Sequence, residues 1–412
     1  MTRMVNWCPW ILSEMIYNMG EQIVITEIGG IRGFFVIRDN LLKIADFCTP
    51  QSRIPGKIYV GHVSNVAANL NAAFVEYEKG KKGFLPLDKK RNHIENIKNG
   101  NTVPVQIKTA PLKTKDAVLS AELSVSGLYC VVTDTPGEIH FSKKITSSKK
   151  EILKSLIMDV VSPSFSYIIR SNVMALADGD LALLLAEIKN LTERMREIVL
   201  KSTTRTCFSC IYEQSFFLTD FLSKTDFLQV DEIVTDSAEE FQYLQSMLPQ
   251  KLSEAVRLYS DDRISLALIY EIKARLHQMI SRKVWLKSGG YLIVEMTEAL
   301  TVIDVNSGKN EKKISKAALA LETNMEAADL IPYLLSVNNI SGIVIVDFIN
   351  VRSKDEEELF LKRLKKRLSE DPCKADVVDI TALGLVEITR QKKDILLSAK
   401  LKEASLYEII AH

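Results

Sequence analysis

Two aspartates interrupt the most apolar stretches in the C-terminal part of this 412-residue chain. In Thr301-Val-Ile-Asp-Val-Asn306, Asp304 stands within a β-branched run, and the period of two along a strand puts Asp304 and Asn306 on one face. In Ile343-Val-Ile-Val-Asp-Phe348, Asp347 breaks a run that is more apolar still. Burying a carboxylate in such surroundings costs several kcal/mol unless it is paired or bound to a cation. Two strand-embedded carboxylates in one α/β domain could converge on one hard cation. Mg²⁺ is the usual choice, since it takes one or two carboxylates and keeps several waters. Such a centre suits phosphodiester hydrolysis, in which the ion activates water and offsets charge growing on the phosphate. The competing reading is that each aspartate ends its strand and caps the next turn, and spacing alone favours it.

Other constellations carry less. Cys207-Phe-Ser-Cys210 has the spacing of half a zinc site, but no second CxxC or histidine pair answers it, so it reads as two buried small residues. The five histidines are scattered. No Gly-rich phosphate-binding motif occurs, so a dinucleotide or nucleoside triphosphate site is unsupported. Lys143, Lys144, Lys149 and Lys150 cluster near a strand–helix junction and read as a solvated face.

The elements around these residues follow from periodicity. Residues 22–48 alternate and predict two or three strands with turns at Gly29-Gly30 and Asp39-Asn40. After Pro55-Gly56 come five short strands, Ile58–Val63, Ala72–Tyr77, Lys82–Pro86, Val103–Lys108 and Ala117–Leu123. That spacing is the pattern of a small Greek-key barrel such as the OB fold. Residues 57–127 hold eleven lysines and arginines against six acidic residues, although the whole chain balances 53 against 52. Tyr59, Phe74, Tyr77 and Phe84 are interleaved with the lysines, as in barrels that stack bases along a cationic groove. Small barrels also need core aromatics, which leaves each ring open to either role.

Further on, helices are predicted over 147–160 and 179–200, and residues 226–285 read as strand and helix, with Val230–Val234 and Ile264–Lys283 the clearest pieces. From Gly289-Gly290 the pattern is a hairpin, a helix over 313–336, the strand Ile343–Ile349 and a helix over 354–369. In that last helix Ser353 and Glu356 have capping-box spacing, and Leu361, Leu364 and Leu368 share a face. Strands Val377–Asp379 and Leu385–Thr389 complete an α/β C-terminal domain.

Composition sets outer limits. The chain is 47% apolar and 25% charged, which excludes a long solvating tail, and six cysteines are too few for a disulfide scaffold. No uncharged apolar run reaches the ~18 residues of a membrane span. The patch around Trp7 and Trp10 lacks a cleavage site, so a cytoplasmic protein is expected, with residues 1–18 as an upstream extension.

Several segments in one order carry a resemblance. They are Asn71-Ala-Ala-Phe-Val-Glu-Tyr77, Gly83-Phe-Leu-Pro-Leu87, Thr297-Glu-Ala-Leu300, Ile303-Asp-Val-Asn-Ser-Gly308, Thr323-Asn-Met-Glu-Ala-Ala-Asp329, Gly342-Ile-Val-Ile-Val-Asp-Phe348 and Leu383-Gly-Leu-Val-Glu387. From about residue 21 to about 393 the sequence resembles the ribonuclease E/G family.

The resemblance implies a multidomain α/β architecture. An extension over 1–20 precedes an RNase H-like subdomain split between 21–54 and 213–283. That subdomain is interrupted by an OB-fold RNA-binding barrel over 55–127 and a 5′-sensor region over 128–212. A deoxyribonuclease-like α/β nuclease domain over 284–400 and a tail over 401–412 follow. By motif match, Asp304 and Asp347 would ligate Mg²⁺, with Mn²⁺ as a substitute. Asn306 would orient the scissile phosphate or the attacking water. Phe74, Phe84 and Lys115 match the RNA grip of the barrel, and Arg170 with Ser171 matches the site for a 5′-monophosphate.

The function implied is Mg²⁺-dependent endonucleolytic cleavage of single-stranded RNA in processing or decay, leaving 5′-phosphate and 3′-hydroxyl ends. The alternative is an RNA-binding homologue with weakened catalysis. The departures are Ser171 in place of threonine, Asn350 in place of an acidic residue, and no C-terminal Cys-Pro-x-Cys link before His412. Zinc is therefore doubtful, and a homodimer is expected from the family alone.

Overall fold

A computed structural model describes residues 20–87, 97–111, 116–213, 217–261, 263–308, 315–392 and 394–411. Lys115 and residues 1–19 lie outside these. The chain divides into two units, one of residues 1–47, 232–237 and 258–412, the other of 48–231 and 238–257.

In the first unit, Glu21–Ile28, Ile31–Arg38 and Leu41–Phe47 form an antiparallel meander. Val230–Thr235 and Val256–Leu258 extend this sheet to five strands, so it is assembled from two distant stretches of chain. Asp236 ties them together: it accepts from Thr26 Oγ1 at 2.6 Å and pairs with Arg32.

The same unit holds a six-stranded sheet in the order Lys283–Trp285, Tyr291–Met296, Leu300–Asn306, Gly342–Asp347, Val386–Arg390, Ala375–Ile380. Only the central pair, Leu300–Asn306 with Gly342–Asp347, is parallel. Parallel neighbours need a crossover, and helix Lys316–Val337 supplies it. One sheet face carries Leu292, Ile303, Val305, Val344, Val346 and Ile388, all buried in a core shared with Leu334, Leu335 and Leu364. The described residues of the other face, among them Tyr291, Ile293, Asp304, Ile345 and Asp347, are half-buried or exposed, and this is the open face.

The helix Lys354–Ser369 begins as its spacing predicts. Ser353 Oγ accepts from the Glu356 N–H at 3.2 Å, but Glu356 reaches back to the Arg352 N–H rather than to that of Ser353. Leu361, Leu364 and Leu368 are buried together, as their spacing requires.

Two stretches differ from expectation. The piece read over Ile264–Lys283 is two helices, Leu266–Ile269 and Ile272–Ile280, broken where Glu271 takes φ 49°. Arg275 Nε donates to the carbonyl of Tyr270 at 2.8 Å and secures the break. The strand expected to reach Ile349 stops at Asp347, because the side chain of Asn324 takes both backbone polar groups of Ile349.

In the second unit, Ile58–Ala67, Ala72–Glu78, Lys81–Pro86, Thr102–Thr109 and Ala117–Ser120 stand close to the five strands predicted. Their order is first, second, third, fifth, fourth, and the fourth closes on the first through Ile58↔Gln106 to His62↔Thr102. The third and fifth pair in parallel. This is a small OB-like barrel, filled by Val63, Val75, Leu85, Val105, Ile107 and Leu119.

Beside it in sequence lies a four-stranded sheet of Ser124–Ser126, Cys130–Thr133, Ser166–Ile169 and Ile139–Phe141. The helix Leu181–Thr204 anchors to this sheet through Glu187. Its carboxylate accepts the N–H groups of Leu128, Tyr129 and Cys130, each at 2.8 Å. Burial pushes that carboxyl upward, and the three hydrogen bonds oppose the shift.

Candidate functional site

The parallel ladder of the six-stranded sheet ends on Asp304↔Asp347. Register partners on adjacent strands point to the same face with backbones ~4.8 Å apart, so the two carboxylates stand side by side. They lie at the carboxyl ends of the parallel strands, where open α/β sheets bind ligands. The period of two places Asn306 on the same face, and its Nδ2 donates to Asp304 Oδ2 at 2.8 Å. The three residues singled out by type and spacing are thus together.

Their surroundings differ from the sequence reading. Both aspartates are exposed on the open face, while the apolar residues that flank them point into the core. Desolvation therefore does not compel a partner. What remains is two adjacent, solvated carboxylates whose mutual repulsion a cation would relieve.

Among the described residues, no group of three or more His, Cys, Asp or Glu is placed to hold a metal ion. A two-carboxylate set with an adjacent amide fits a hard cation that keeps most of its waters. It does not fit Zn²⁺, which asks for three or four protein ligands. Cys207 is half-buried and Cys210 exposed, so these are not the two buried small residues expected.

Neighbouring residues to which the sequence reading gave no part in the site hold this end of the sheet. The Asn324 amide is completely buried and grips Ile349, two positions beyond Asp347. Glu326 accepts the N–H of Ser288 at 3.0 Å, fixing the Gly289-Gly290 turn. A Cβ on Gly290 would lie 2.6 Å from the Asn306 carbonyl oxygen, so only a bare backbone lets the turn press against the Asn306 strand. Gly308, at φ 64°, would place a Cβ 2.2 Å from the Gly289 oxygen. The signals for these residues were present: a lone asparagine in an apolar helix, and paired glycines flanking the hairpin.

The barrel sorts its aromatics. Tyr59 and Tyr77 are buried against one another with ring centroids 5.3 Å apart, and burial raises both hydroxyls above their ordinary range. Phe74 and Phe84 face outward as register partners on the second and third strands, half-exposed, with ring centroids 6.0 Å apart and nearly perpendicular. That pair of strands is the face on which OB-type barrels take oligonucleotides.

Arg170 and Ser171 stand on the four-stranded sheet, at the end of Ser166–Ile169. Arg170 Nη1 donates to the Ser223 carbonyl at 3.2 Å, whereas its buried Nε has no hydrogen-bond partner among the described residues. Burial lowers the guanidinium from its ordinary value, opposed by Asp220 and Glu187. An arginine stays charged under such a shift, so the half-buried guanidinium remains a cation.

Fold and site together define a class: a mixed α/β protein of several sheets, with an OB-like barrel and an acidic pair at the ends of parallel strands. The sequence model described as the Ribonuclease E/G family matches residues 124–393, and the chain belongs to that family, a family of RNA endonucleases. It is 31% identical over 380 residues to the "Ribonuclease E/G-like protein" of Porphyra purpurea, covering 86% of this chain and 70% of the relative. It is 29% identical over 359 residues to "Ribonuclease G" of Escherichia coli K12, covering 82% and 73%. With "Ribonuclease E" of Buchnera aphidicola the identity is 30% over 371 residues, 84% of this chain and 40% of the relative. No helix among the described residues is long and apolar enough to cross a membrane.

Proposed function

We propose that the chain is a divalent-metal-dependent endoribonuclease that cuts single-stranded RNA and leaves 5′-phosphate and 3′-hydroxyl ends. The observation that carries this is the Asp304↔Asp347 register pair on the open face, with Asn306 bonded to Asp304. Asp304 and Asp347 would hold Mg²⁺, or Mn²⁺ in its place. When bound, the ion supplies a more acidic water and offsets negative charge on the phosphate. Asn306 orients the scissile phosphate or the attacking water through its amide. In this reading, Phe74 and Phe84 stack unpaired bases, with Lys115 as a further contact. Arg170 meets a 5′-monophosphate through its guanidinium, and Ser171 assists.

The same reading carries the finer architecture. The sheet assembled from residues 21–47 and 230–258 is the interrupted RNase H-like part. The six-stranded sheet with its crossover is the deoxyribonuclease-like nuclease domain.

The test is Mg²⁺- or Mn²⁺-dependent cleavage of a single-stranded oligonucleotide by the wild type, Asp304→Asn and Asp347→Asn. Cleavage unchanged in both variants rules out the assigned site. RNA affinity that falls with salt, with no cleavage under any divalent ion, favours the alternative of a homologue that binds but no longer cuts.

A further inference from the structure

The open face that carries Asp304 and Asp347 continues outward over two more strands. Lys283, Ile293, Asp304 and Asp347 form one cross-strand row, and Trp285, Tyr291 and Asn306 form the next. All therefore share a face, and Trp285 lies two strand spacings, ~10 Å, from Asn306. The Trp285 and Tyr291 rings meet edge to face with centroids 5.4 Å apart. Lys283 Nζ lies 4.0 Å from the indole centroid and 3.8 Å from the phenol centroid. Trp285 nonetheless stays 40% exposed.

An indole that is fixed by a neighbouring ring and a cation, yet open to solvent, has lost its own freedom without being used in the core. The cation–aromatic contacts are worth little at an exposed position, so they orient the ring rather than hold the sheet together. A base has a π-face of its own and brings a phosphate that complements Lys283. The row geometry places such a base within reach of a nucleotide flanking one bound beside Asp304.

We propose that Trp285, oriented by Tyr291 and Lys283, is a stacking subsite for an unpaired base near the cleaved bond. The inference rests on the nuclease reading of Asp304 and Asp347. Trp285 is here a positioning residue: it sets the register of the strand, and the carboxylates are untouched by its loss.

The experiment uses the full chain and a short single-stranded RNA, intact or with an abasic nucleotide placed in turn at each position near the cut. Trp285→Ala is expected to lower kcat/KM roughly 5- to 100-fold on intact RNA, the equivalent of one lost stacking contact. An abasic nucleotide at the stacking position should cost the wild type the same factor and cost Trp285→Ala nothing further, and Trp285→Phe should recover most of the loss. Equal abasic penalties in wild type and Trp285→Ala at every position overturn the proposal.

A second readout does not need cleavage. With Trp7→Phe and Trp10→Phe, Trp285 is the remaining tryptophan, and the RNA should quench its fluorescence without divalent ions, also when Asp304→Asn is added. Quenching in a chain that never cuts would defeat the nuclease reading and keep the stacking site. Cleavage lost in Asp304→Asn but normal in Trp285→Ala would do the reverse. Quenching that follows protein concentration without RNA would place a second copy of the chain on this face and overturn the inference.

Discussion

Asn324 grips Ile349 at two points: its Oδ1 accepts the Ile349 N–H at 3.1 Å and its Nδ2 donates to the Ile349 carbonyl at 2.7 Å. The side chain is wholly buried in the crossover helix. It stands in for a neighbouring strand and peels the apolar run off the sheet immediately after Asp347. Thus the helix that makes the parallel pair possible also fixes the end of the strand that carries the second carboxylate.

Asn324→Ala would leave the N–H and carbonyl of the half-buried Ile349 without their protein partner, at about 1 kcal/mol each. Denaturant unfolding should show a loss of that order. If the clamp also holds Asp347 in place, cleavage under conditions where the variant is folded should fall in kcat more than in RNA affinity.

Asp304→Asn and Asp347→Asn act on solvated side chains outside the core, so unfolding midpoints should stay close to wild type. Loss of several kcal/mol of metal-centred stabilisation corresponds to at least ~100-fold slower cleavage. Isothermal titration with Mn²⁺, read beside the rate, should show weakened ion binding in both.

Phe74→Ala and Phe84→Ala should each weaken single-stranded RNA binding by about 1–3 kcal/mol, as expected for a lost stacking face. The slope of log affinity against log salt should not change, because no phosphate contact is removed. A lysine variant at a phosphate contact would lower that slope instead. Anisotropy titrations at three salt concentrations distinguish the two.

Asp329 lies between Arg363 and Arg367, with Arg363 Nε 2.8 Å from each of its oxygens. Partial burial pulls its carboxyl upward, but the two guanidinium groups outweigh this and hold it below its ordinary 3.8. A depressed carboxyl contributes stability that is complete above 3.8 and lost as pH falls through the lowered value. The arginines are half-exposed, so the contribution is at most about 1 kcal/mol. Asp329→Asn should lower stability at neutral pH by up to about 1 kcal/mol and flatten the acid limb below pH ~4, so that the variant and the wild type converge in acid.

Within single elements the sequence was a good guide. The five barrel strands, the hairpin ending on Asn306 and the leucine face of the helix Lys354–Ser369 stand close to where alternation and helical spacing put them. The Ser353 cap formed as well. These are properties of a backbone with a period of two or 3.6, which nearby residues decide by themselves. For the same reason Asp304 and Asn306 could be placed on one face before any neighbour was known.

Everything that depends on a second element escaped that reading. Whether Asp304 meets Asp347 is set by strand order and register across a 22-residue helix, and whether they are buried depends on which sheet face the helices cover. The alternation within each strand is the same either way. Closure of the barrel sent Tyr59 and Tyr77 inward and left Phe74 and Phe84 outside, although all four looked alike among the lysines. Local pattern determined which side chains travel together. Only the packing of one sheet against its helices decided which of them meet solvent, and which of them meet each other.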